Sequence, residues 1–162
     1  MPTPVPRDSK AQAKVSKGTD VLAAEQRIVV AARLHDEPTD ERKTGTPSKS
    51  DPRNNKLVEA DHHYQSGIQK WDAGDIDGAI TEFKKTARLN PDAAGAYYNL
   101  GIAYLRKNET SAACKYAYQA GCAYLNKKNT YQILRMIKFI KSIDPSSSLI
   151  DKLREEMREQ AK

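Results

Sequence analysis

The stretch Ala93–Tyr104, AAGAYYNLGIAY, decides how the chain folds, because partial copies of it lie on both sides. Moved back by 34 residues, Gly101 falls on Gly67 and Ile102 on Ile68; moved forward by 34, Tyr97 falls on Tyr131 and Leu100 on Leu134. A period of that length is the signature of a helical hairpin repeated along a chain. Gly67 and Gly101 take a side chain away from the middle of each first helix, and Ala79 and Ala113 leave one methyl where the second helix crosses it, so the two backbones can approach closely. Gly74 and Asn108, again 34 apart, stand where each first helix should stop. Both residue types tolerate the left-handed conformation that ends a helix. Pro91, after Asn90, blocks continuation of the second helix and lets the next begin.

On these residues the chain resembles the tetratricopeptide repeat (TPR) family. One copy carries Tyr97, Leu100, Gly101, Tyr104, Ala113 and Ala120, and the copy before it Gly67, Ala79, Phe83 and Pro91. The resemblance implies an all-α fold of antiparallel hairpins stacked in a short right-handed superhelix, with repeats at about 60–93 and 94–127 and a degenerate third at 128–145. It implies a binding scaffold and leaves the partner open.

The pattern predicts helices at about 56–72, 76–89, 93–106, 111–126, 130–142 and 148–160. Ile76, Ile80, Phe83 and Ala87 make the apolar stripe of the second, and Ala113, Tyr116, Ala117, Ala120 and Tyr124 that of the fourth. The third period keeps Leu134 and Tyr131, the latter read with the other tyrosines as a hairpin-packing residue, but Arg135 stands where the earlier copies have Gly. A hairpin of the same kind cannot close over an arginine, so residues 148–160 are expected to form a capping helix. Leu149, Leu153 and Met157 would be its buried stripe, and Ser148 with Asp151 its N-terminal cap.

The preceding third of the chain has a different composition. Six of the eight prolines lie before residue 53. Residues 1–55 are expected to be a largely disordered tail and linker, interrupted by a short amphipathic helix at about 19–34 on which Val21, Leu22, Ile28, Val29 and Ala32 recur at helical spacing. Net charge is +6, with 11 basic and 8 acidic residues through Lys56 and 16 and 13 beyond it, so neither part demands a polyanion. No secretory signal is evident in MPTPVPRDSK and no run reaches the roughly 18 apolar residues of a membrane helix, which makes the cytoplasm the expected compartment.

By the resemblance, the first helices of successive hairpins line a concave face. Tyr64, Ile68 and Trp71, then Tyr98, Asn99, Ile102 and Leu105, then Gln132, Met136 and Phe139 are expected to point there as a peptide-binding groove. Mostly apolar or aromatic, such a face suits an apolar peptide or an amphipathic helix. Its occupant is a protein partner or the 19–34 helix of the same or a neighbouring molecule, which leaves self-assembly open as a structural role. From Arg106 to Lys141 eight basic residues face one acidic residue, Glu109. Arg106, Lys107, Lys127, Lys128, Arg135, Lys138 and Lys141 are expected to form a basic surface that favours acidic protein segments, with nucleic-acid binding ranked below protein binding.

TPR proteins that clamp the C-terminal carboxylate of chaperones place Lys and Asn in the first hairpin; Tyr64 and Ile68 hold the matching sites and only Asn99 agrees, which argues against a clamp. The small size and aromatic groove look more like the repeat-type chaperones of bacterial secretion systems. No catalytic constellation is legible, and no cofactor or metal is expected. His62 and His63 diverge by about 100° on a helix and have no third ligand. Asp72, Asp75 and Asp77 have the wrong order for a calcium loop and are expected to cap the second helix. Cys114 and Cys122 lie about 12 Å apart along one helix, too far for an internal disulfide. The chain is expected not to be an enzyme.

Overall fold

The computed structural model describes residues 52–161. The expected 19–34 helix, and nearly all of the tail and linker around it, lie outside the described residues. Six α-helices follow one another: α1 (Pro52–Asp72), α2 (Ile76–Leu89), α3 (Ala94–Arg106), α4 (Thr110–Asn126), α5 (Thr130–Ile143) and α6 (Ser148–Gln160). There is no strand among the described residues. The fold is an all-α, TPR-like helical repeat. α1 starts four residues earlier than the sequence suggests, with Pro52 in its first turn, where a missing N–H costs nothing.

Three of the five connections share one turn. α1, α3 and α4 each end in a left-handed residue, Gly74 (φ 80), Asn108 (φ 60) and Lys128 (φ 52). In each, the N–H after it reaches back five residues: Asp75 to the Lys70 carbonyl (2.9 Å), Glu109 to Tyr104 (2.9 Å) and Asn129 to Tyr124 (3.0 Å). This closes the open carbonyls of the last turn and sends the chain back along the helix it has left. The other two connections are proline turns. Asn90 and Asp144 are held extended before Pro91 and Pro145, as proline demands. Their side-chain oxygens accept from the N–H of Asp92 (3.1 Å) and Ser146 (3.0 Å).

The order of these turns sets the packing. The first hairpin, α1 and α2, closes on Ala79, Ile80 and Phe83, joined by Leu100 and Ala103 of α3. A β-carbon on Gly67 would come within 2.6 Å of the Phe83 ring, so the glycine is what lets that ring lie against α1. α3 and α4 close where Gly101 meets the α4 backbone; a β-carbon there would stand 3.3 Å from the Ala113 carbonyl oxygen.

The left-handed turn then occurs again between α4 and α5, where strict alternation would bring a proline turn. The local structure of α2 returns in α5, 54 residues later. Asp75 and Asn129 cap from the side chain, accepting from Gly78 N (2.9 Å) and Gln132 N (3.2 Å); both helices have 14 residues, and both end in an Asx-Pro turn. The sequence carries the same register, YQSG at Tyr64–Gly67 and YQAG at Tyr118–Gly121. α4 is therefore the second helix of one hairpin and the first of the next.

Sharing α4 explains its composition. Ala113, Cys114, Ala117, Ala120, Gly121, Ala123 and Leu125 are all buried and together span about 200° of the helix at 100° per residue. Neighbours on more than one side require small side chains. Leu153 of α6 is wholly buried, and a β-carbon on Gly121 would lie 2.5 Å from it.

The shared helix also corrects three expectations. Tyr131 does not pack in a hairpin: it and Leu134 are 69% and 47% exposed, because α5 turns the opposite side, Ile133, Met136, Ile137 and Ile140, into the protein. In α6 the buried residues are Ile150 and Leu153, with Leu149 and Met157 half-buried. Its N-cap is Ser147 without a side-chain cap bond, and Asp151 instead pairs with Arg154 (3.3 Å).

Candidate functional site

α1, α3 and α5 meet along a seam of aromatic and cationic side chains. Between α1 and α3, Asn99 Nδ2 donates to the Tyr64 hydroxyl (3.3 Å), and the Arg106 guanidinium lies 5.4 Å from the centre of the Trp71 ring. Between α3 and α5, Tyr98 and Phe139 meet edge to face at 5.9 Å, and Arg135 sits 5.7 Å from the Tyr98 ring. Arg135 is held there by its bond to Gln132 Oε1 (2.8 Å). Stacking of this kind fixes long cationic side chains against flat apolar surface.

The expected groove residues divide by depth. Tyr98, Asn99, Ile102, Gln132 and Met136 are buried, while Tyr64, Ile68, Trp71, Leu105 and Phe139 are half-buried. Tyr64, Ile68 and Trp71 also pack on the core of the first hairpin. Tyr64, Asn99 and Trp71 thus come together with Tyr98 and Phe139 along the seam, whereas Ile102 and Met136 lie beneath the surface. Asn99 Oδ1 is enclosed with no hydrogen-bond partner.

The expected basic surface does not form one patch. Arg106 and Arg135 belong to the seam. Lys107 is tied to Asp77 (2.6 Å) and Glu109 (3.6 Å), bracing the turn after α3 against α2. Lys127, Lys128, Lys138 and Lys141 are exposed around α5. Linear reading groups these side chains because they are near in sequence; stacking on Trp71 and Tyr98 depends on helix pairing, which spacing alone does not give.

Two polar clusters escaped the sequence. His63 Nδ1 donates to Glu82 Oε2 (2.6 Å) and Lys85 Nζ to Glu82 Oε1 (3.0 Å), joining α1 to α2 at a nearly buried carboxylate. Burial would raise the Glu82 pKa, but the hydrogen bonds from His63 and Lys85 outweigh it and hold the carboxyl below its ordinary value. At the other end Tyr118 donates to Glu156 Oε1, and Cys122 Sγ lies 3.4 Å from Glu156 Oε2. Desolvation, then the Glu156 carboxylate, push the Tyr118 phenol far up. Among the described residues no group of three His, Cys, Asp or Glu side chains could hold a metal.

A family model described as "TPR repeat" matches residues 71–108, from the end of α1 through α2 and α3 to the left-handed Asn108. Over these residues the chain carries a TPR-family repeat. Among curated proteins nothing matches it. The TPR match falls on the part where the 34-residue register and the structure agree, and it ends before the shared helix. TPR domains are in general non-catalytic and mediate protein interactions. No described helix is long and apolar enough to cross a membrane.

Proposed function

We propose that this TPR protein is a non-catalytic scaffold whose α1–α3–α5 seam holds an apolar peptide or an amphipathic helix. The observation that carries the reading is the seam itself. Trp71, Tyr64, Tyr98 and Phe139 lie along adjoining helices with Arg106 and Arg135 stacked among them, and aromatic rings with arginine are the anchors that dominate protein interfaces.

Trp71 is the protein's single tryptophan, so its emission reports occupation of the seam. Peptides selected from a displayed random library against the full chain should be rich in aromatic and aliphatic residues and should shift that emission. Trp71→Phe should keep most of the affinity and Trp71→Ser should lose about tenfold or more. Selected peptides that leave the emission unchanged and bind Trp71→Ser as tightly as the wild type would move the binding function elsewhere.

A further inference from the structure

We propose that the outward face of α5 is a second docking surface, and that it takes an acidic amphipathic helix of another protein. The 54-residue register sets α5 against α2 position by position. In α2 the outward positions are polar: Asp77, Thr81 and Lys84, with Asp77 paired to Lys107. α5 is the same kind of helix in the same kind of hairpin, yet it places Tyr131 where α2 has Asp77. Leu134 stands where α2 has Ile80, but Ile80 is buried and Leu134 is 47% exposed. The fold does not require either apolar side chain at the surface.

On α5 and in the turn before it the charge has one sign. Lys127 and Lys128 precede the helix, Lys138 and Lys141 follow one and two turns beyond Leu134, and all four are exposed. From Thr130 to Ile143 the helix contains no acidic residue. At 100° per residue Tyr131, Leu134, Lys138 and Lys141 fall within about 80° of one another, a stripe of about 15 Å. Arg135, at its edge, turns away onto Tyr98.

Two apolar anchors a turn apart with cations at both ends complement a helix whose apolar pair is flanked by carboxylates. A nucleic acid would use the cations and Tyr131 but has nothing for Leu134, and its recognition gains mainly from phosphate contacts. A membrane surface needs more buried apolar area than two side chains supply. The surface is separate from the seam, so neither proposal depends on the other.

The test uses the full chain and a fluorescein-labelled helical peptide of Glu, Leu and Phe with its Leu and Phe on one face. Binding should be saturable at micromolar concentrations. Leu134→Asp and Tyr131→Ser should each weaken it by about tenfold or more, and Lys138→Glu should do the same. The melting temperature should stay unchanged, because all three side chains are exposed, and Trp71→Ser should have no effect on this peptide. Absence of saturable binding overturns the proposal, as does equal affinity for polyglutamate or indifference to Tyr131→Ser. Tighter binding of a single-stranded DNA oligonucleotide or of phosphatidylserine vesicles overturns it in favour of that ligand.

Discussion

Lys128 adopts at its helix end the conformation that Gly74 and Asn108 adopt at theirs. For a side chain with a β-carbon the left-handed region costs roughly 1–2 kcal/mol, and lysine has no local hydrogen bond to offset it as asparagine has. Lys128→Gly removes that strain at an exposed position and should raise stability by about 0.5–1 kcal/mol in chemical denaturation, the extra freedom of glycine in the unfolded chain taking back the rest. Gly74 and Asn108 announce their turns in the sequence; Lys128 cannot, because no propensity marks a lysine as left-handed. Glu82 gives a second test. Its carboxyl is held below the ordinary 4.5, so its contribution is present above that pH and is lost as pH falls through the lower folded value. Glu82→Gln should therefore destabilise the protein at pH 7 by about 1.5–3 kcal/mol, the worth of hydrogen bonds to a charged group. The gap to the wild type should narrow as thermal melts are taken from pH 4.5 downward.

At the scale of elements the sequence is almost fully legible. Six stretches of period 3.6 bounded by Gly, Asn and Pro give six helices, each within a few residues of its observed ends. What spacing does not reveal is which helix each one faces. The 34-residue shift that brings Tyr97 onto Tyr131 is a true match of letters, but α3 is followed by a helix that covers Tyr97 and α5 is not followed by one that covers Tyr131. Burial follows the turn type, and the deciding turn hinges on Lys128. The YQSG and YQAG pair was the available signal, read only once a period of 54 is allowed beside 34. The same pairing fixes what α6 does. Leu153→Ala empties the site against Gly121 and should cost about 2–5 kcal/mol, measured by denaturant unfolding. α6 should then gain proteolytic sensitivity before α1 and α2 do.

At the scale of the whole molecule, the seam and the α5 stripe are two surfaces on one scaffold, and their chemistry was unequally readable. The aromatic character of the first was visible in Tyr64, Trp71, Tyr98 and Phe139; the placing of Arg106 and Arg135 among those rings was not, since it arises from contacts between helices far apart in sequence. The described structure also predicts how the protein unfolds. Native-state hydrogen exchange should show α3, α4 and α5 opening together with one denaturant dependence, and α1 with α2 able to open separately. Three distinct opening energies for α3, α4 and α5 would contradict the shared packing of α4.

Helix α4, counted in two hairpins, has a further effect. An ordinary solenoid tolerates the loss or insertion of one unit, because every joint is alike. Here the joint is a helix that already belongs to both neighbours, so excising 34 residues anywhere between Ala94 and Pro145 removes part of two units at once. The segment from α3 to α5 has the look of a modular array but the editing behaviour of a single block, and variation in length should be confined to the part that precedes α3.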